Sequence, residues 1–222
     1  MKKIPLYDVL PINDLKHLFE TSTRLYSERT AFWVKRKFGS VYEDYHPVTY
    51  KEYRDDVSAF GTALLSLGLK GKRIAIIGEN RYEWVVSYMA VVCGVGIVVP
   101  LDKELPENEI ESLLVRSKVD AIIYSGNIRN QILNISRRID FVKYYIDMDG
   151  QNTKDNKNQN ENVKLLFFND LLEKGKISLS NGSREFEELS VDRNAMNILL
   201  FTSATTDKSK AVMLSHKNIC TN

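Results

Sequence analysis

Cysteine is scarce in this sequence, and the positions of the two cysteines suggest neither a disulfide framework nor a metal site. The chain of 222 residues contains only Cys93 and Cys220. Cys93 lies in an apolar run, which is typical of a buried thiol. The disulfide-rich secreted class and zinc-binding modules are therefore not favoured, and we expect a protein of the reducing cytoplasm.

An excess of charge of one sign is also lacking. The 31 Lys and Arg residues nearly balance the 29 Asp and Glu residues, which leaves a net charge of +2. No strongly basic patch indicates nucleic acid, so we expect no nucleic-acid partner. The first five residues, MKKIP, are charged, but the apolar segment of a signal peptide does not follow.

A long membrane-spanning run is missing as well. The nearest candidate is Trp84–Leu101, which carries no charge over 18 residues, whereas a transmembrane helix needs about 20 mostly apolar residues. Gly94, Gly96 and Pro100 interrupt the run, and its second half is rich in β-branched residues. This pattern predicts a buried helix followed by a buried parallel strand.

Strand-like and helix-like segments alternate along the middle of the chain. The predicted strands are 73–78, 97–100, 119–124, 144–147 and 163–168, and the predicted helices are 82–93, 130–138, 170–174 and one beginning at Pro106. This alternation predicts an α/β fold with a mostly parallel sheet and helices on both faces. Glu79-Asn80-Arg81 follows the first of these strands, at an end where ligands collect in such sheets. A simple turn is nevertheless the favoured interpretation there.

The amino-terminal segment is predicted to form a helix, a hairpin and a second helix. Asn13 is placed as the N-cap of a helix running to Ser27, and strands 31–36 and 41–45 are joined by a turn at Gly39-Ser40. Thr49 and Glu52 have the spacing of a capping box at the start of the second helix. Further along, residues 150–162 are polar and are predicted to be a mobile loop, and a second loop is predicted over 180–188.

Residues 197–218 contain the most distinctive chemistry of the chain. An apolar run, 197–201, precedes a segment rich in hydroxyls and ammonium groups, and a second apolar run, 211–214, precedes Ser215, a predicted N-cap. Hydroxyls, backbone N–H groups and lysines between two buried strands favour a phosphate-binding loop. An ordinary solvated loop remains an alternative, since the Walker A pattern is absent and no glycine occurs between Asn194 and Asn222.

This segment resembles the phosphate-binding signature of the adenylate-forming superfamily, which includes acyl-CoA synthetases, adenylation domains and luciferases. The family pattern is roughly [YF]-T-S-G-[ST]-T-G-x-P-K-G-V-x-L-S-H. The chain matches it at Phe201-Thr202-Ser203, Thr205-Thr206, Lys210, Val212 and Leu214-Ser215-His216. It departs at Ala204, Asp207, Ser209 and Ala211, where the family has Gly, Gly, Pro and Gly. The order of the other segments, including Val99-Pro100-Leu101-Asp102, also resembles the family, and most resembles long-chain fatty-acid–CoA ligases.

The resemblance implies that residues 1–222 are the first part of a large amino-terminal AMP-binding domain. This part stops just after the phosphate loop. It implies an ATP-dependent ligase that converts a carboxylic acid, such as a fatty acid, to an acyl-adenylate and then to a thioester of coenzyme A. The implied phosphate donors are Thr202, Ser203, Thr205 and Thr206, with Lys210 as the main cation and Lys208 in support. Thr205 or Thr206 is the implied Mg²⁺ ligand, and His216 is expected to pack or cap after the strand.

Two alternatives to this interpretation stay open. The four departures are compatible with a non-catalytic relative that binds an acyl ligand or a partner protein, and an adenylation domain for an amino acid has the same signature. The expected partners are the acid, ATP and coenzyme A. The resemblance also implies peripheral membrane contact, although no basic amphipathic helix supports it. The sequence indicates no oligomeric state.

Overall fold

The computed structural model describes residues 10–38, 41–150, 164–202 and 209–221. The helices are α1 (Leu15–Leu25), α2 (Tyr50–Ser66), α3 (Tyr82–Ala90), α4 (Glu107–Ser117), α5 (Arg129–Ile135), α6 (Phe168–Ser180), α7 (Glu185–Glu188) and α8 (His216–Cys220). The strands are β1 (Thr30–Phe38), β2 (Val41–Thr49), β3 (Lys72–Ile77), β4 (Gly96–Leu101), β5 (Ala121–Tyr124), β6 (Tyr144–Asp147), β7 (Lys164–Phe167), β8 (Met196–Thr202) and β9 (Lys210–Ser215).

Within the described residues, seven strands form one sheet in the order β7-β6-β5-β3-β4-β8-β9, while β1 and β2 form a separate antiparallel hairpin. Neighbouring strands of the large sheet are parallel from β7 to β8, and β9 alone runs antiparallel to its neighbour. The predicted turn at Gly39-Ser40 and all of the predicted loop 150–162 except Gly150 lie outside the described residues.

Helices cover both faces of the large sheet, so the predicted fold class is confirmed. On β3, Ile74 and Ile76 point into a core shared with α1, α2, α3, α6 and α7. Ala75 and Ile77 point into a second core shared with α4 and α5. Burial of one such isoleucine stabilises the fold by about 1.5–3 kcal/mol. Because helices exclude water from both faces of the sheet, its strands appear in the sequence as continuous apolar runs.

The connections on either side of β4 place a crevice at one edge of the sheet. The chain leaves β3 through α3 on the first face, and it leaves β4 through α4 on the second face. It then reaches β5, which pairs with the opposite side of β3. The carboxyl ends of β3 and β4 therefore flank a topological switch point, where open α/β sheets bind ligands.

The apolar run Trp84–Leu101 forms the buried helix and strand that its sequence predicts. Val86 and Ala90 of α3 are fully buried, as are Val98 and Val99 of β4. A π-type turn, Val91–Val95, joins the two elements and contains Gly94 at a φ of 147°, a conformation that favours glycine. Among the residues described, no helix combines the length and the apolar character needed to span a membrane.

Local capping signals decide where α1 and α2 begin. The capping box at α2 is confirmed, since the Glu52 N–H donates to Thr49 Oγ1 at 3.1 Å and the Thr49 N–H donates to Glu52 Oε2 at 2.7 Å. The predicted N-cap of α1, Asn13, is wrong by one residue. Asp14 is the N-cap, and its carboxylate accepts from the His17 N–H at 2.7 Å, as a short acidic side chain does at this position.

The segment 168–188 is more helical than the sequence predicts. Helix α6 covers Phe168–Ser180 rather than 170–174, and α7 occupies part of the predicted loop 180–188. Tertiary contacts explain α7, because Phe186 is buried against α2 and the Lys16 ammonium donates to the backbone carbonyls of Glu187 at 2.9 Å and Leu189 at 2.5 Å. These partners are distant in sequence, so the local pattern carries no trace of them.

Candidate functional site

The hairpin of β8 and β9 carries the predicted phosphate loop. Thr202 pairs with Lys210 in the last registered position before the loop, and both residues are exposed. Directly opposed residues of an antiparallel pair have Cα atoms about 4.5–5.5 Å apart. The predicted ligands Ser203, Thr205, Thr206 and Lys208 lie outside the described residues. The structure therefore brings together two predicted groups, one hydroxyl and one ammonium-bearing side chain, at the base of the loop.

The sheet places this hairpin at the edge where ligands are expected. Strand β8 runs parallel to β4, with Ile198 opposite Val98. The end of β8 at Thr202 therefore points the same way as the carboxyl ends of β3 and β4. Since β4 lies between β3 and β8, the loop begins one strand away from the switch point.

Strand β9 differs from expectation. The sequence predicts that both strands flanking the loop are buried, but Lys210–Met213 are exposed, and the exposed fraction of Met213 is 70%. Strand β8 does match the prediction, because Ile198 and Leu199 are buried between β4 and β9. The reason for the error is that β9 is the outermost strand of the sheet. An apolar run of four residues, such as 211–214, looks the same in sequence whether the strand lies in the centre of a sheet or at its edge.

Two of the four departures from the family signature fall on described residues. Ser209 immediately precedes β9, and Ala211 lies inside it, opposite Phe201. Neither residue has a positive φ; Lys118 is the single non-glycine residue with one in the described part of the chain. A Cβ atom at these two positions therefore causes no backbone strain. Ala204 and Asp207 lie outside the described residues.

A pocket of about 310 Å³ lies at the switch point. Its lining comes from the segments that follow β3 and β4: Gly78, Glu79, Asn80, Trp84, Leu101, Asp102 and Lys103. This volume lies within the range of small-molecule sites. The segment 78–81 is a non-helical connection, as the favoured interpretation of a simple turn requires. However, Glu79 and Asn80 also line the pocket, so the turn is part of a concave surface.

Glu79 is held in its ionised form at the mouth of this pocket. Burial by itself opposes ionisation, but hydrogen bonds to the carboxylate outweigh that cost, so the pKa of Glu79 lies below its ordinary value. Asn127 provides one of these bonds, with its Nδ2 2.9 Å from Glu79 Oε1. The ammonium of Lys103 favours the ionised form as well. The pocket thus combines carboxylate, amide and indole groups.

A network of ion pairs joins the loops after β3, β5 and β6. The Arg81 guanidinium donates to Glu83 and to Asp149, both at 2.6 Å, and Asp149 Oδ2 accepts from the Gly126 N–H at 2.7 Å. Burial of Arg81 disfavours its charge, yet its two carboxylate partners raise its pKa. Asp149 is also partly desolvated, but Arg81 and the Gly126 N–H lower its pKa. These contacts fix the edge of the sheet beside the pocket.

A buried ion pair lies behind this network. Asp147 is completely buried, and its Oδ2 accepts from Arg129 Nε at 2.5 Å. Its other oxygen accepts from the N–H groups of Asp149, at 2.8 Å, and Gly150, at 3.0 Å. Sequence reasoning missed both residues. The sequence does place the acidic Asp147 at the carboxyl end of the predicted strand 144–147. It does not indicate that Arg129 on α5 is its partner.

His216 follows β9, and its buried position agrees with the predicted packing role. The side chain is completely buried, and its Nδ1 accepts from the backbone N–H of Leu15 at 3.0 Å. Burial lowers the pKa of the imidazole. Ser215 is the N-cap of α8, as predicted, because its Oγ accepts from the Asn218 N–H at 3.2 Å. The residues after β9 thus anchor the hairpin to α1.

Comparisons with known proteins agree with this architecture. A family profile described as AMP-binding enzyme matches residues 19–222. Fatty acyl-CoA synthetase A of Dictyostelium discoideum is 33% identical over 179 residues, which cover 79% of this chain and 26% of the synthetase. The chain therefore spans about a quarter of the length of this relative.

Solved structures share the fold at low sequence identity. The adenylation domain of a carboxylate reductase from Mycobacterium chelonae has a TM-score of 0.77 at 16% identity, with coverage of 95% of this chain and 36% of that chain. A long-chain-fatty-acid-CoA ligase from Archaeoglobus fulgidus has a TM-score of 0.74 at 16% identity, with coverage of 99% and 40%. The family profile matches residues 19–222, which include the hairpin that carries Thr202 and Lys210. The chain therefore belongs to the AMP-binding enzyme family.

Proposed function

We propose that this chain is the amino-terminal part of an AMP-forming acyl-CoA synthetase. The proposed enzyme activates a carboxylic acid, most simply a fatty acid, with ATP and transfers the acyl group to coenzyme A. The observation that carries the proposal is the pairing of Thr202 with Lys210 at the carboxyl edge of the sheet, one strand from the switch point. The similarity to a fatty acyl-CoA synthetase supports the choice of acid.

In the first half-reaction the acid's carboxylate attacks the α-phosphorus of ATP, which gives an acyl-adenylate and releases pyrophosphate. The negative charge on the departing phosphates needs compensation from positioned donors and cations. Lys210 is suited to this role because it is exposed at the base of the loop, next to Thr202. We assign Thr202, Ser203, Thr205 and Thr206 as donors to the β- and γ-phosphates, with Lys208 as a second cation.

A bound Mg²⁺ ion would neutralise phosphate charge in this site. The described residues contain no group of three or more His, Cys, Asp and Glu side chains suited to a metal ion. A hydroxyl of Thr205 or Thr206 is the ligand we propose, in keeping with other phosphate loops. In the second half-reaction the thiolate of coenzyme A attacks the acyl carbon and displaces AMP. We expect the 222-residue chain alone to be inactive in thioester formation, because it spans only part of its relatives' length.

Substitution of Lys210 in the whole protein tests the assignment. Lys210→Ala should slow ATP–pyrophosphate exchange by about 10-fold or more, since it removes one charge-assisted contact to phosphate. Lys217→Ala is a matched control, because Lys217 is an exposed lysine on α8 beyond the hairpin. An unchanged exchange rate in Lys210→Ala would rule out the proposed role of the loop.

Direct ATP binding separates the enzyme from a non-catalytic relative. Ala204 and Asp207 replace two glycines of the family signature, and the second places a carboxylate in the loop. Calorimetry of the whole protein with ATP and Mg²⁺ should give measurable heat if the loop binds phosphate. Absence of heat would favour a module that binds an acyl ligand or a partner protein. Exchange stimulated by amino acids rather than fatty acids would favour an amino-acid adenylation domain.

A further inference from the structure

Arg116 contacts strand β8 and the residue that immediately precedes β9. Its guanidinium Nη2 donates to the backbone carbonyl of Ser209 at 2.7 Å. The guanidinium carbon also lies 5.3 Å from the centre of the Phe201 ring, in a cation–π contact. Arg116 is in the last turn of α4, so a single side chain connects this helix to two segments that are far from it in sequence.

These two contacts flank the mouth of the phosphate loop. Phe201 immediately precedes Thr202 on β8, and Ser209 immediately precedes Lys210 on β9. Thr202 and Lys210 are the pair that closes the hairpin. Lys210–Met213 are exposed on the outermost strand of the described sheet, and this end of β9 pairs with β8 alone. The Arg116 contact with Ser209 adds a second support beside this end of β9.

We propose that Arg116 is a positioning residue for Thr202 and Lys210, the described pair at the base of the phosphate loop. By holding Phe201 and Ser209 together, it keeps Thr202 and Lys210 at the separation at which both can contact one triphosphate. This inference rests on the proposed function of the hairpin. Arg116 itself is not assigned a contact with substrate.

A simpler role for Arg116 makes a different prediction. A cation in the last turn of a helix stabilises that helix through its dipole, and Arg116 is the basic residue in the last turn of α4. Lysine preserves this effect, because it keeps the charge. Lysine lacks the planar guanidinium group, which can stack on the Phe201 ring and at the same time donate a hydrogen bond to the Ser209 carbonyl. Comparison of lysine and alanine variants therefore distinguishes positioning from helix stabilisation.

The experiment measures the KM for ATP, the KM for palmitate, kcat and Tm in the whole protein and its variants. Arg116→Ala should raise the KM for ATP by about 10-fold, because it removes a charged hydrogen bond and a cation–π contact. The KM for palmitate and the Tm should stay close to those of the parent. The KM for ATP of Arg116→Lys should lie between the values of the parent and of Arg116→Ala, because lysine keeps the positive charge but lacks the planar guanidinium group. Arg137→Ala, which removes an exposed arginine after α5, should match the parent.

Several results would overturn the proposal. One is a KM for ATP within two-fold of the parent in Arg116→Ala. Another is a lower Tm accompanied by equal increases in the KM for ATP and the KM for palmitate, which would indicate only a structural role. Full recovery in Arg116→Lys would assign the effect to the helix dipole. Lys210→Ala, measured in the same series, separates the two proposals. If that variant loses exchange while Arg116→Ala does not, the positioning role fails and the function stands; if neither is affected, both fail.

Discussion

Gly175 lies where α6 crosses α2, and its replacement by alanine sets two effects of opposite sign against each other. A Cβ atom built on Gly175 would lie 1.8 Å from the backbone carbonyl oxygen of Ala59 and 2.5 Å from its carbonyl carbon. Ordinary contacts to a Cβ atom begin near 3.4 Å. A backbone carbonyl cannot rotate away as a side chain can, so the two helices would have to separate.

The expected change in stability follows from comparing the two effects. Alanine in place of glycine inside a helix favours folding by about 1 kcal/mol. Overpacking of a close contact disfavours it by about 1–3 kcal/mol and occasionally more. The contact at Gly175 is against backbone, and Phe60 and Phe168 pack nearby with ring centres 4.5 Å apart. We therefore expect the upper part of that range and a net destabilisation of about 1–2 kcal/mol.

Thermal unfolding followed by circular dichroism measures this effect. A loss of this size should lower the Tm by roughly 2–8 °C, at 2–4 °C per kcal/mol for a domain of this size. Lys174→Ala is the matched control, because Lys174 is the exposed neighbour on α6 and its replacement tests helix propensity without the clash. A Tm for Gly175→Ala equal to or above that of the parent would refute the close packing of α2 and α6.

Two further predictions concern the amino-terminal helices. Thr49→Ala should destabilise the protein by about 1 kcal/mol through loss of the capping box, whereas Thr49→Ser should retain most of the stability; equal denaturant midpoints for the two variants would contradict the role of the hydroxyl. Burial lowers the pKa of His216 in the folded protein, so below pH ~6.5 the unfolded chain binds more protons and stability falls as the pH decreases. The drop in Tm from pH 7 to pH 5 should therefore be smaller in His216→Gln than in the parent, and parallel drops would argue against a lowered pKa.

Much of the fold follows from local sequence signals. Thr49 and Glu52 specify the start of α2 through contacts three residues apart. The continuous apolar runs predict β3 and β4 because both faces of those strands are covered. Features that depend on distant partners were not predictable in this way. Helix α7 depends on Phe186 and Lys16, and the exposure of β9 depends on its place at the edge of the sheet.

The candidate site was also only partly predictable from the sequence. Thr202 and Lys210 were recognisable because the family signature spans both, and the hairpin sets them opposite each other. The supporting residues were not recognisable, because their partners lie far away along the chain. Arg81 reaches Asp149 across the ends of the strands, and Arg116 reaches Ser209 from a different helix. Such pairs have no fixed spacing, so only the folded chain reveals them.

The order of strands in the large sheet has a consequence for synthesis on the ribosome. Strand β4 is complete at Leu101, but β8, its partner on one side, ends only at Thr202. For the whole of that interval the growing chain presents a row of unsatisfied amide and carbonyl groups along a strand rich in valine, the kind of edge that promotes aggregation. This edge of β4 is covered only after β8 has been synthesised and has paired with it.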